Sequence, residues 1–432
     1  MADELRSSAR RAVGSTPVVR HGRLKRRSIW KTIGKATASV LAVALVSGSA
    51  VAAYAAWDLA NTAKPTVTLG NEDVLEGVPD IGAMPGGVNL LLIGSDSREG
   101  QGDGFGDPDE ETAVLNDVTM LMHISEDHSN ASVISFPRDM LVDVPACVDP
   151  ADPAGDPLSE QYGVKINSVL SLGGMPCVVK TVEQLVGVTI PFAGTVQFMG
   201  VAGLSEAVGG VPVCVAEPIE DEHTDLYLPA GMHELAGIQA LQFLRTRHGV
   251  GDGSDLGRIS NQQVFMSSLA RTLQSNGTLS DPVKLYGIAK AALANMQLSD
   301  SLMNPNTMIS IAKALKDTDL DKIAFIQYPT YSADSAQVPA ESAEAIRVAL
   351  QNDLPVTFDP ASQEASFASA GDPTAVDAAP VAEAPVEGEA PAADPAADPA
   401  APAPTVEALP SDVTGQTAAE TRCSAGRTLD DQ

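Results

Sequence analysis

Beyond its first 35 residues the chain carries little positive charge. Lys and Arg number 27 against 56 Asp and Glu, a formal net charge of -29. Ten of those cations fall in residues 1–35, beside only Asp3 and Glu4. The acidic remainder repels nucleic-acid phosphates, which argues against general DNA or RNA binding. Cysteine is also sparse. Cys147, Cys177, Cys214 and Cys423 include no pair spaced as a metal knuckle. They allow three full pairings, the sequence does not choose among them, and free buried thiols fit the same spacing. No Gly-x-Ser-x-Gly elbow and no Walker A loop occurs.

What is present is enough for a core: 44% of the residues are apolar, and 432 residues suit one large domain or two ordinary ones. Ala36 to Trp57 has no charge and the length of one bilayer crossing. A basic cluster precedes it (Arg23, Lys25, Arg26, Arg27, Lys31, Lys35), so residues 1–35 read as a cytoplasmic leader and everything after 57 as exported. A cleaved signal peptide is the rival, since Ala53-Tyr54-Ala55 resembles an A-x-A site. Either way disulfides are permitted. Residues 58–85 read as a stalk and 86–358 as the globular body. In the body, strand-length runs at Val88–Ile93, Thr119–Ile124, Ala131–Phe136, Val211–Val215 and Ile323–Tyr328 alternate with helical patterns. The helices are expected at Cys177–Val186, Glu234–Thr246, Arg258–Gln274, Pro282–Met296 and Asn304–Lys316. This alternation predicts an α/β fold with the sheet covered on both faces. Residues 359–432 read as a disordered acidic tail rich in Ala, Pro, Asp and Glu, without Lys or Arg from 360 to 421. The last ten residues either dock back or dangle.

Nine arginines lie between residue 60 and the end, and five of them cluster in short polar patches at expected element ends. The patches are Gly94-Ser95-Asp96-Ser97-Arg98, Phe136-Pro137-Arg138-Asp139, Arg245-Thr246-Arg247-His248 and Asp255-Leu256-Gly257-Arg258. Guanidinium forks match phosphate oxygens, so the patches predict a polyphosphate pocket. Ordinary salt bridges would use the same residues, since Asp lies beside several of them. Asp96 follows one expected strand and Asp117 precedes the next. If those strands are neighbours, the two carboxylates converge and could hold Mg²⁺ together with substrate phosphates, although a strand-end Asp is also a routine turn residue. Arg245 and Arg247 reach one ligand only if the helix ends between them and the chain opens into the loop Gly249–Asp255. Asp255 falls in the N-cap region of the next helix, whose start adds N–H groups for an anion. His248 is either a proton carrier or a hydrogen-bonding neighbour of Arg247.

Together these motifs resemble the LytR-CpsA-Psr family of cell-wall glycopolymer ligases, in its actinobacterial form, over roughly residues 86–358. The resemblance rests on Asn89-Leu90-Leu91-Leu92-Ile93-Gly94-Ser95-Asp96, Asn116-Asp117-Val118-Thr119, Ser135-Phe136-Pro137-Arg138-Asp139 and Lys165-Ile166-Asn167. It continues through Ala207-Val208-Gly209-Gly210-Val211, Leu228-Pro229-Ala230-Gly231, Gln239-Ala240-Leu241, Arg245-Thr246-Arg247 and Gly251-Asp252-Gly253-Ser254-Asp255-Leu256-Gly257-Arg258. It implies an α/β/α sandwich with a central mixed sheet, and a phosphotransferase that moves a glycopolymer phosphate from a polyprenyl pyrophosphate carrier to peptidoglycan or a surface protein at the membrane. It implies that Asp96 and Asp117 bind Mg²⁺. Arg98, Arg138, Arg245, Arg247 and Arg258 would grip the pyrophosphate, Asp139 would orient Arg138, and Asp255 would orient Arg258 or serve as base. A lipid tunnel would run beneath the sheet, lined from Val179–Val188 and Phe192–Val201. Cys147 and Cys177 flank Lys165-Ile166-Asn167 and are the favoured disulfide; Cys214 with Cys423 would span the acidic spacer. A pyrophosphate phosphatase using water, and a non-catalytic membrane regulator, are the competing functions. A separate C-terminal domain, frequent in the actinobacterial relatives, is not evident.

Overall fold

In the computed structural model, the alternation of apolar side chains along the strands of the main sheet feeds two separate cores, one on each face. The structure describes residues 29–76, 87–98, 114–149, 155–275, 281–334, 336–364, 366–370 and 406–432, together with Met84, Gln101, Asp152 and Thr278. The basic leader before residue 29 and the spacer 371–405 lie outside the described residues. Two units divide between Asp58 and Leu59. Helix α1 (Ile29–Thr62) has 34 residues, and Trp30–Thr62 is long and apolar enough to cross a membrane.

The strands that build the body are, in chain order, β1 (Val88–Ser95), β2 (Asn116–Ile124), β3 (Ala131–Phe136), β4 (Phe192–Val196), β5 (Val211–Val215) and β6 (Gly231–Leu235). They continue with β7 (Met296–Leu298), β8 (Ile323–Gln327), β9 (Ala368–Ala370), β10 (Gly415–Thr417) and β11 (Arg422–Ser424). A seven-stranded sheet runs β7-β4-β1-β2-β3-β8-β10. It is mixed: β1 pairs antiparallel with β2 but parallel with β4, and β3 pairs parallel with β8. Side chains point alternately to its two faces. Leu91, Ile93, Leu121, Ile134 and Phe136 meet α2 (Val169–Val186), and the same core takes in Ile346 and Leu350, which lie in the helix Ala343–Gln351. Val88, Leu90, Met120, Met122 and Val133 face the other way, onto a core shared with the later helices. The later helices are α3 (Phe198–Val208), α4 (Gly237–Arg245), α5 (Asp255–Ser275), α6 (Pro282–Asn295) and α7 (Pro305–Asp317), of which α5, α6 and α7 contribute to this core, while Ala240 and Phe243 of α4 pack in a third core with Val211, Val213 and Val215. The expected α/β/α sandwich is therefore observed.

Two elements differ from the sequence expectation for local reasons. The helix expected over Glu234–Thr246 begins only at Gly237, because His233, Glu234 and Leu235 pair instead with β5. Ladder pairing overrides a weak helical preference. Helix α2 begins eight residues before Cys177, interrupted at Gly173 and Gly174, with Pro176 just after the break. Residues read as stalk also lie against the body. Leu69 is buried in the first core, and Val67 bridges Ser299.

The larger departure is at the C-terminus. Residues 406–432, read as part of the tail, return to the body. Strand β10 extends the main sheet beside β8, and β11 lies between β5 and β9 in a four-stranded sheet. Its register sets Cys423 opposite Cys214, and the two form a disulfide with Cα atoms 4.4 Å apart. Cys147 and Cys177 form the second disulfide, with Cα atoms 5.3 Å apart. Removing a native disulfide typically costs about 2–5 kcal/mol, more for longer loops. Non-reducing peptide mapping is expected to find 147–177 and 214–423 links, and Cys423→Ser to lower the urea midpoint, with an unfolding free energy reduced by about 2–5 kcal/mol. An unchanged midpoint would mean that the C-terminal strand is not docked in solution.

Candidate active site

Sequence places Asp96 and Asp117 at the ends of two strands, and the antiparallel pairing of β1 with β2 brings those ends together. Ser95 pairs with Asn116 across a bulge, and the Asp96 N–H donates to the Leu115 carbonyl. Burial raises the pKa of the Asp96 carboxyl; the Leu115 N–H, at 2.6 Å from Oδ1, opposes this, and the charge of Asp117 adds to the rise. Asp117 is held on its other side. Its Oδ1 accepts from Arg138 at 2.7 Å, while its backbone carbonyl accepts from the Arg258 guanidinium at 2.7 Å.

Arg258 enters from the second turn of α5. Ser254 caps that helix, its hydroxyl accepting from the N–H groups of Leu256 and Gly257. This leaves Asp255 at the first helical position, three residues before Arg258, on the same face. The two form a buried ion pair at 2.6 Å. The second oxygen of Asp255 accepts the backbone N–H of Arg138 at 3.0 Å. Burial pulls the Arg258 guanidinium below its usual range against the attraction of Asp255 and Asp117. For Arg138 burial acts in the same sense, but Asp117, Asp255 and Asp139 more than offset it and raise its pKa. Asp139 is engaged by Lys165 at 2.8 Å, and its carboxyl is lowered despite burial by Lys165 and Arg138.

Helix α4 ends at Arg245, as convergence of the two arginines requires, and Thr246 is extended. Arg245 lies over the Phe198 ring at 4.2 Å. Arg247 is set by its backbone, whose N–H donates to Asp221 at 3.3 Å. Asp221 is fully buried; burial would raise its carboxyl, but the Thr246 hydroxyl and the N–H groups of His223 and Arg247 hold it low. Arg138, Arg245, Arg247 and Arg258 then line one end of a single cavity with Asp117. The buried Nε atoms of Arg138, Arg247 and Arg258 have no hydrogen-bond partner there. Each such group costs about 1–3 kcal/mol, more when charged, unless a ligand accepts from it. Asp96 and Arg98 stand beside this wall: the Arg98 charge acts on both Asp96 and Arg245.

The rest of the cavity is apolar. Its volume is about 560 Å³. Val201, Leu204 and Val208 of α3, Leu241 and Leu244 of α4, Phe265 and Leu269 of α5, and Ile288 of α6 line it over the sheet residues Leu92 and Met120. Of the lining expected, Val196, Phe198 and Val201 are present. Val179, Val182 and Val186 are not, because the sheet separates them: they pack in the opposite core. The α4–α6 wall was not anticipated, and neither were Asp221 and His223 at the polar end. His223 stacks on His248 at 4.3 Å between ring centroids.

The Asp255–Arg258 pair generates a prediction. Asp255→Ala strands a buried guanidinium and is expected to destabilise the body by about 3–5 kcal/mol, whereas adding Arg258→Met recovers most of the loss. Denaturant melts of both variants measure this; a near-neutral Asp255→Ala would show that the pair is not buried.

Known proteins were compared with this chain. The model of the LytR_cpsA_psr family matches residues 56–352. The cell wall biosynthesis protein LcpA of Corynebacterium glutamicum is 31% identical over 309 residues, covering 63% of this chain and 55% of that protein. The probable cell wall biosynthesis protein LcpB of the same organism is 31% identical over 224 residues, 50% of each chain. This chain thus spans about half the length of these two curated relatives. The polyisoprenyl-teichoic acid–peptidoglycan teichoic acid transferase TagT of Bacillus subtilis is 23% identical over 346 residues, 77% of this chain and 98% of that protein. Among solved structures, a LytR-Csp2A-Psr enzyme from Actinomyces oris aligns at a TM-score of 0.48 with 19% identity, over 63% of this chain and 92% of its own. With its match spanning most of the chain, this protein belongs to the LytR-CpsA-Psr family.

Proposed function

We propose that the chain is a membrane-anchored phosphotransferase that moves a glycopolymer phosphate from a polyprenyl pyrophosphate carrier to a hydroxyl of peptidoglycan or a surface protein. One observation carries this reading: four arginines, Arg138, Arg245, Arg247 and Arg258, line the polar end of a cavity whose remainder is apolar. A ligand fitting both ends has clustered phosphates joined to a hydrocarbon. Each buried CH₂ of the tail contributes about 0.8 kcal/mol, and paired guanidinium contacts fix the head. The relatives named for cell wall biosynthesis and teichoic acid transfer support the same class. Helix α1 would anchor the chain, with its basic flank in the cytoplasm and the body outside.

In this reading the acceptor oxygen attacks the phosphorus nearer the sugar, and polyprenyl phosphate leaves. Negative charge grows on the bridging oxygen and the leaving phosphate, where Arg138, Arg245, Arg247 and Arg258 are fixed to receive it. Both oxygens of Asp255 are already engaged, which favours its role as an orienting group for Arg138 and Arg258 over that of a base. Asp96 and Asp117 fit Mg²⁺ as a pair. One oxygen of each is engaged by a protein donor; burial, and to a lesser degree the charge of Asp117, raises the Asp96 carboxyl, and a dication would favour its ionised form. Among the described residues no group of three acidic, His or Cys side chains could hold a metal, so water and the substrate's phosphates would complete the shell. The ion would neutralise pyrophosphate charge. With water as acceptor the same site is a pyrophosphatase.

Full-length protein in detergent is expected to release phosphate from geranylgeranyl pyrophosphate with Mg²⁺, to lose that activity in EDTA, and to lose at least about 100-fold in Arg138→Ala with its melting midpoint little changed. An Arg138→Ala variant as active as the wild type would remove the pocket assignment.

A further inference from the structure

The transfer reaction needs a group to take the proton of the attacking hydroxyl, and the carboxylates around the arginines are already engaged. Asp255 is shared between Arg258 and the Arg138 N–H. Asp139 serves Lys165, and Asp117 serves Arg138. Asp96 and Asp117 are assigned above to the cation. The same cavity, however, has two imidazoles on its wall, His223 and His248, beside Arg247.

Building on the phosphotransferase reading, we infer that His223 is the general base of this site, oriented by Asp221 and stacked on His248. The Asp221 carboxylate is wholly buried and lies 3.5 Å from His223 Nδ1, while the imidazole itself is 70% exposed. A carboxylate beside one ring nitrogen favours the proton there and leaves the other nitrogen for the substrate, the logic of carboxylate–histidine pairs in acyl transfer, and the His223 backbone N–H donates to the same carboxylate oxygen at 2.9 Å. The carboxylate is itself held in place: its other oxygen accepts from the Thr246 hydroxyl at 2.6 Å and from the Arg247 N–H. One buried group thus sets both the base and a phosphate-binding arginine, so the two cannot drift apart independently. His248 packs against the ring at 4.3 Å with a 31° tilt and limits its rotation. The same wall carries one more polar group. Thr224 Oγ1, one residue on, is buried in the same wall without a hydrogen-bond partner.

The step balances without another reactant. The acceptor O–H proton passes to the unoccupied nitrogen of His223 as the new P–O bond forms. The bridging P–O bond breaks, its electron pair leaves with polyprenyl phosphate, and the imidazolium returns its proton to that phosphate or to solvent. Asp221 is a positioning residue.

Phosphate release from geranylgeranyl pyrophosphate by full-length protein tests this, with water as the attacking group. His223→Ala is expected to lower kcat by about 10²–10⁴-fold with KM within about twofold, and added imidazole to restore part of the rate. Asp221→Asn is expected to lower kcat less, with no imidazole rescue. Wild-type rates in His223→Ala, or a rate lost together with donor binding and not rescued by imidazole, would overturn the inference. Donor binding by the wild type and by Arg138→Ala, read on the same preparations, distinguishes a failed base from a failed pocket.

Discussion

The site depends on one buried ion pair. Asp255 and Arg258 sit a single helical turn apart at the start of α5, almost wholly out of water. Alone, such a pair is a poor source of stability, since removing two charges from water costs several kcal/mol for each ion. Its value here lies in what the remaining valences reach. The free oxygen of Asp255 takes the N–H of Arg138, just beyond β3, and Arg258 donates to the carbonyl of Asp117 at the start of β2. One pair therefore fixes a helix N-terminus against the ends of two strands. The arginines that face the cavity inherit their positions from that junction.

The second constraint is the separation of two kinds of burial. On one face of the sheet the core is closed by α2 and the helix Ala343–Gln351, and its side chains fill the space. On the other face, α3, α4, α5 and α6 stand off from the sheet and leave a cavity of about 560 Å³. Such a void forfeits dispersion contacts and water release, so it persists only where the surrounding elements are held elsewhere. The four-stranded sheet does this. Its strand β11 is covalently tied to β5 and hydrogen-bonded, through Ala425 and Arg427, to the Gly249–Gly251 loop that follows Arg247.

Much of this was legible in the sequence, and the parts that were not share a cause. Strand-length runs such as Ala131–Phe136 and the arginine patches lie within short windows, where period and composition report directly. The convergence of Asp96 and Asp117 was conditional on their two strands being neighbours, and the pairing of β1 with β2 supplies that condition. The helix break between Arg245 and Arg247 could be read from the glycine-rich loop beyond it. Long-range pairings were not decided by the sequence, although Cys214 with Cys423 was among those it allowed. His223 and His248 lie 25 residues apart in unrelated segments, and neither carries a local signal of the other. Cys423 lies 209 residues from Cys214, across a spacer whose composition argues against folding. The lipid wall was assigned to Val179–Val188 because any apolar helix is a candidate until the sheet shows which face it covers. The helix at Glu234 was misplaced because pairing with Val211–Val215 is decided by the partner strand.

The central claim is that a prenyl chain and its pyrophosphate occupy this cavity together. Photo-crosslinking of the full-length protein with a prenyl pyrophosphate carrying a diazirine on its hydrocarbon tail tests it most directly. The account predicts label on the peptides of α3, α5 and α6, around Val201, Leu269 and Ile288, and loss of labelling in Arg138→Ala. Label on α2 or on the helix Ala343–Gln351, or labelling indifferent to Arg138, would contradict it.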